Sequence, residues 1–174
     1  HNYDALWHTA DFTISLAATD INGIKETYYK INDGATKTLS IDGQPHIITE
    51  GSNIKLEYWS VDNAGNEELP HKVLAGIKLD KTAPAANAGA DQTVKKDTAV
   101  TFNASTSTDE NGIATYTWTF TDTTPQTLSG KNPTYTFATP GTYTITLRVT
   151  DPAGNTATAT TTVTVLAPEA FPIW

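Results

Sequence analysis

The chain has 174 residues, 38% of them hydrophobic, a formal net charge of −8, and neither cysteine nor methionine. That apolar content suffices for two cores of roughly 80 to 90 residues each. The acidic balance leaves no basic face for phosphates, which excludes nucleic acid and an anionic bilayer surface as partners, and the missing cysteines exclude disulfide stapling and thiolate metal sites.

The chain carries no apolar run long enough to cross a membrane as a helix, and its start at His1 without a leader is what a fragment of a longer protein would show. An internal repeat sets the organisation. Val61-Asp62-Asn63-Ala64-Gly65-Asn66 returns as Thr150-Asp151-Pro152-Ala153-Gly154-Asn155, and Thr19-Asp20-Ile21-Asn22-Gly23-Ile24 returns as Thr108-Asp109-Glu110-Asn111-Gly112-Ile113, both at an offset of 89. Two tandem copies of one unit follow.

Taken in chain order, turn residues and period-two alternation predict strands near 12–17, 25–31, 36–41, 45–49, 53–60 and 72–79 in the first copy. In the second they predict 92–94, 99–104, 114–120, 134–137, 142–150 and 156–166. Alternation is clearest where Tyr143, Ile145, Leu147 and Val149 interleave with threonines and Arg148. Its counterpart turns Ile54, Leu56 and Tyr58 inward and Lys55, Glu57 and Trp59 outward. Threonine suits such half-buried pleated surfaces, and no segment shows a 3.6-residue period. The reading is all-β: two tandem Ig-like antiparallel β-sandwiches, residues 1–82 and 83–166, joined at Leu79-Asp80-Lys81-Thr82-Ala83-Pro84, with a Pro-rich tail at 167–174. A proline-stiffened junction predicts a semi-rigid pair.

The second copy resembles a polycystic-kidney-disease (PKD) domain over residues 84–166. The resemblance is carried by Asn87-Ala88-Gly89-Ala90-Asp91, Phe102-Asn103-Ala104-Ser105, Tyr116-Thr117-Trp118-Thr119-Phe120 and Pro140-Gly141-Thr142-Tyr143. It departs from the common pattern at Thr121-Asp122-Thr123, where many members carry Gly-Asp-Gly, and at Asn103, where Asp is usual. The first copy is similar to Ig-like repeats of bacterial and archaeal surface proteins, through Tyr28-Tyr29-Lys30-Ile31 and Glu57-Tyr58-Trp59-Ser60, with its first strand expected largely before His1. The threonine-rich composition is similar to archaeal envelope and surface-layer (S-layer) proteins.

Candidate sites are few. Trp118, Tyr116 and Phe120 share one face and read as core. Tyr28 and Trp59 fall on the outside of neighbouring strands, where they would form a glycan or protein docking patch unless a neighbouring loop or a stiff inter-domain contact covers them. Sandwich topology brings the loops carrying Asp109, Glu110 and Asp151 to one end, toward Asn87 and Asp80, an oxygen-rich set suited to Ca²⁺, which some PKD domains bind near this end. The alternative is that these Asp and Asn side chains only satisfy their own turns. Asn103-Ala104-Ser105 is an N-glycosylation sequon.

His1, His8, His46 and His71 have no metal-ligand spacing and no nucleophile to serve, so no enzyme is expected. The tail through Phe171 and Trp174 would approach a membrane anchor beyond Trp174 or lead to a further domain. The function expected is a non-catalytic extracellular or cell-envelope module, a spacer and adhesion domain meeting protein or polysaccharide at the cell surface. The alternative is an accessory carbohydrate- or protein-binding module of a secreted hydrolase.

Overall fold

The computed structural model describes residues 3–168, and the chain forms two compact units that divide after Lys81. The tail residues 169–174 lie outside the described residues.

The first unit contains β1 (Trp7–His8), β2 (Phe12–Thr13), β3 (Ile24–Ile31), β4 (Lys37–Thr38), α1 (Leu39–Asp42), β5 (His46–Ile47), β6 (Gly51–Asp62) and β7 (Lys72–Leu79). Five strands form one sheet in the order β1-β7-β6-β3-β4, and β2 pairs with β5 in a second. Between them lies a core that includes Ile14, Leu16, Tyr29, Ile47, Leu56 and Ile77. The expected alternation holds on β6: Ile54 and Leu56 are buried in that core and Tyr58 packs against it.

The second unit contains β8 (Gln92–Lys95), β9 (Ala99–Thr101), β10 (Thr115–Asp122), β11 (Thr124–Ser129), β12 (Thr134–Thr136), β13 (Gly141–Thr150) and β14 (Thr156–Leu166). Its sheet runs β11-β10-β13-β14-β8, faced by β12-β9. Trp118 is fully buried, stacked on Phe102 with centroids 5.2 Å apart, and its indole N–H donates to the Gly130 carbonyl at 3.0 Å. An indole can fill a core only when its N–H finds such an acceptor. Phe120 and Phe137 complete the aromatic centre, so the inward reading of β10 is correct.

Four expectations need correction. A first strand does exist after His1, since β1 pairs in parallel with β7 (Trp7 with Lys78, His8 with Leu79). The segment 36–41 is extended only at Lys37–Thr38; the Asp42 carboxylate accepts the Thr38 N–H at 2.9 Å and closes one helical turn, which Gly43 ends at φ 73°. The strand expected over 12–17 pairs only at Phe12–Thr13. Beyond it Pro45 has no N–H to offer; Ile14 donates to the Pro45 carbonyl, and the Gln44 side-chain amide brackets Leu16, accepting its N–H at 2.7 Å and donating to its carbonyl at 3.1 Å. Finally β11 is a strand that alternation alone did not reveal, formed by a tight hairpin at Thr123.

Truncating Trp118 to Ala removes the largest core side chain and leaves the Gly130 carbonyl without its indole donor. The expected cost is about 3 to 5 kcal/mol. Chemical denaturation of Trp118→Ala and wild-type protein checks it, with the loss confined to the transition assigned to the second unit.

Candidate functional site

The repeated turn motif builds the same device twice. In the first unit Asp62 accepts the Asn66 N–H and side-chain amide, both at 2.8 Å. In the second Asp151 accepts the N–H groups of Gly154 and Asn155 at 2.7 and 2.9 Å and the Asn155 side-chain amide at 2.9 Å. Gly65 and Gly154 sit at φ 91° and 99°, where a side chain would be strained, so the turn requires glycine there. Both aspartates are nearly buried, at 7% and 2% exposure. The hydrogen bonds from the turn hold the Asp62 carboxyl below the usual carboxylate range, Asn66 being the main donor. The sister turns work likewise, Asp20 accepting the Asn22 N–H and Asp109 the Asn111 N–H at 2.7 and 2.8 Å.

Of the four residues expected to converge on a cation, two meet within the second unit: carboxylate oxygens of Asp109 and Asp151 lie within 4.8 Å. The loop bearing Asp109 is held there by the paired hydrogen bonds of Ala85 with Thr108, at 2.8 and 3.0 Å. Glu110 is exposed and does not join that group. The Asn87 side-chain oxygen accepts the Gly89 N–H at 2.8 Å, which spends it on its own turn. Asp122 accepts the Tyr135 hydroxyl at 3.0 Å. Asn103 is exposed, and its side-chain oxygen accepts the Ser105 N–H within the sequon at 2.9 Å.

Tyr28 and Trp59 lie directly opposite one another on β3 and β6, on the face away from the core as alternation requires. The expectation of two exposed rings is corrected for one of them. Trp59 is only 7% exposed. It is the middle of three stacked rings: Tyr28 lies 5.6 Å away on one side, and His71 lies 4.0 Å away on the other, 2° from parallel. The Lys30 ammonium sits 5.3 Å from the indole centroid. Neither face of Trp59 is open to a sugar ring, and Tyr28, half-buried, remains at the margin.

His71 is the residue that sequence reasoning missed. It stands just before β7, so cross-strand neighbourhood brings it to Trp59. Glu57 and Glu67 fix both its nitrogens, at 2.7 and 2.8 Å.

Residues 81–165 match the family model of the PKD domain. The second unit is a PKD domain. No curated protein matches the chain. Among solved structures, one of carbohydrate-binding modules from the β-sandwich superfamily is 37% identical over 51% of this chain and 36% of its own, at a TM-score of 0.44. This chain thus spans about a third of that structure's length. The fibronectin(III)-like modules of Clostridium thermocellum CbhA are 12% identical over 93% of this chain and 88% of theirs, at 0.41. SGBP-B of the Bacteroides ovatus mixed-linkage glucan utilization locus, in complex with a heptasaccharide, is 17% identical over 95% and 45%, at 0.23. None reaches a TM-score of 0.5, so the Ig-like description rests on the strand pairing and on the PKD match.

The titratable centre of the first unit is His71. Its hydrogen bonds to Glu67 and then to Glu57 raise its pKa above 6.5, while the bond from His71 lowers that of Glu57 below 4.5. The histidine's contribution to stability is fully present below 6.5 and is lost as pH rises through the raised folded value. The glutamate's is present above 4.5 and is lost as pH falls through the depressed one. The melting temperature of the first unit is therefore expected to fall as pH rises above neutrality. His71→Gln should flatten that slope, as thermal melts across pH 5 to 9 would show.

Proposed function

We propose that this chain is a non-catalytic module of an extracellular or cell-envelope protein, acting as a spacer under tension and as an adhesion or interaction unit. One observation supports this above the others. In each unit the first and last strands of the main sheet are parallel neighbours: β1 beside β7, and β8 beside β14 over Gln92–Lys95 and Val163–Leu166. Parallel terminal strands carry the chain in at one end of a sandwich and out at the other. Tension on the two ends then pulls the paired strands past each other, so that all the hydrogen bonds between them must break together. A hairpin peeled from one end would lose them singly.

The PKD match supports the same class, since it assigns the second unit to a module type rather than to a catalytic domain. No helix among the described residues is long and apolar enough to cross a membrane.

Single-molecule stretching tests the spacer reading. Two separate force peaks are expected, each releasing on the order of 80 residues, or about 280 Å of extended chain. Extension without resolved peaks would remove the reading.

Calcium belongs to this proposal as a stabiliser of the PKD unit. Asp109 and Asp151 supply hard oxygens at close range, and water or carbonyl oxygens would complete the six to eight that the ion takes. The expected outcome is a rise in melting temperature and measurable heat on Ca²⁺ titration, both lost in Asp109→Asn, which keeps an oxygen for the Asn111 N–H. No heat and no shift would remove calcium.

A further inference from the structure

The two units share one ladder register and fill one end of it with opposite chemistry. Tyr29 faces Tyr58 where Trp118 faces Leu147, and one inward step along, Thr27 faces Ser60 where Tyr116 faces Val149. On the adjoining strand Tyr58 is paired with Lys72 and Leu147 with Ala159. In the PKD unit this end is closed by apolar packing: Val149 is fully buried, and Tyr116 and Ala159 pack against the core. In the first unit the same places hold two hydroxyls and a lysine, and the space between them is a groove of about 430 Å³. That lies within the size range of small-ligand sites, roughly 300 to 1,000 Å³.

The groove is built for polar contact at its base. Thr27 and Ser60 are 6% and 9% exposed, and their hydroxyls bond each other at 3.0 Å. Two O–H donors share one hydrogen bond, so one hydrogen and further lone pairs remain for an occupant. Buried hydroxyls left half-used carry a cost that an apolar filling would avoid, and the duplicate shows that this fold accepts such a filling. Tyr58 forms one wall.

The surrounding charge is one-sided. Asp20, Asp62, Glu67 and Glu68 line the groove; Lys72 pairs with Glu68 at 2.6 Å and His71 with Glu67 at 2.8 Å, which leaves the excess negative charge on Asp20 and Asp62. Such a lining attracts an ammonium and repels a carboxylate or sulfate. An aromatic wall, hydroxyl partners at the base and a negative surround match a ring that carries both hydroxyls and an amine.

We propose that this groove of the first unit binds an amino-sugar residue of a polysaccharide, its hydroxyls meeting Thr27 and Ser60 and its ammonium held by the carboxylates. The site goes beyond the spacer reading and does not depend on it.

Calorimetric titration of the whole chain at pH 6 tests the site with four probes. They are a glucosamine tetrasaccharide, its neutral N-acetylated counterpart, a galacturonate oligomer and Nα-acetyl-lysine amide. The glucosamine oligomer is expected to bind best and galacturonate not at all. The pair Thr27→Val and Ser60→Val brings in the apolar character of the PKD unit; it should keep the melting temperature and weaken glucosamine binding by about tenfold or more. Asp20→Asn, at an exposed position that keeps its turn acceptor, should weaken the glucosamine oligomer and leave the neutral one unchanged, and this holds the test open should the double variant fail to fold. Equal binding of the N-acetylated oligomer would overturn the amine, equal binding of the lysine derivative would overturn the sugar, and no binding would overturn the site. A null result here would leave the two force peaks of the spacer test untouched.

Discussion

Everything in this molecule depends on the register of two central strand pairs, β3 with β6 and β10 with β13. With Tyr29 opposite Tyr58 and Trp118 opposite Leu147, every second residue of each pair faces the smaller sheet. A slip of one residue would turn each inward side to solvent. Trp118, Leu147 and Val149 would leave the core together, and Trp59 would leave its stack. The cost of such a slip is the burial of a whole face, so the register is firmly specified although threonine, which suits either face, fills much of the second sheet.

The repeated Asp-x-Ala-Gly-Asn turn fixes where these pairs end. Asp62 and Asp151 each satisfy the N–H groups of a loop that would otherwise be half-buried and unpaired, and the glycine lets the backbone close around the carboxylate. In the PKD unit the Asn155 amide also reaches the Thr82 carbonyl at 3.3 Å, which ties the turn to the segment where the unit begins. The turn is thus a structural constant, and the inward residues beside it are free to vary. That freedom explains how one copy came to be closed with valine and tyrosine while the other carries serine and threonine.

The long strands were legible because alternation over 53–60, 72–79, 142–150 and 156–166 leaves little choice, and the repeat displayed the fold twice. What escaped did so for local reasons. β11 offers only Leu128 as a sizeable apolar side chain, and its hairpin bends at Thr123 with φ 60°, a conformation that no turn-forming residue advertises. The Leu39–Asp42 turn depends on a side-chain contact between Asp42 and Thr38 that competes with the strand. Of the site residues, alternation placed Tyr28 and Trp59 on the right face, but the cover of Trp59 comes from His71, which two glutamates hold, a relation set by cross-strand neighbours and invisible in linear spacing. Topology likewise brought Asp109 and Asp151 together, whereas Asn87 was spent on a turn that its own neighbours formed.

The two units differ in where they put their aromatic mass, and this has a consequence for stability. The PKD unit places Phe102, Trp118, Phe120 and Phe137 inside, in a core of twelve buried side chains among the described residues. The first unit buries eight, with Tyr29 the one aromatic ring among them. Its only buried tryptophan lies on the outer face of the sheet, sandwiched by Tyr28 and His71. A sandwich with the smaller core has less apolar burial to set against chain entropy, so the outer stack supplies stability that the inner face gave up to hydroxyls and charge. Stability and titration are thereby coupled in the first unit, because the ring closing the stack is also the one that two carboxylates hold, whereas the aromatic centre of the PKD unit contains no histidine.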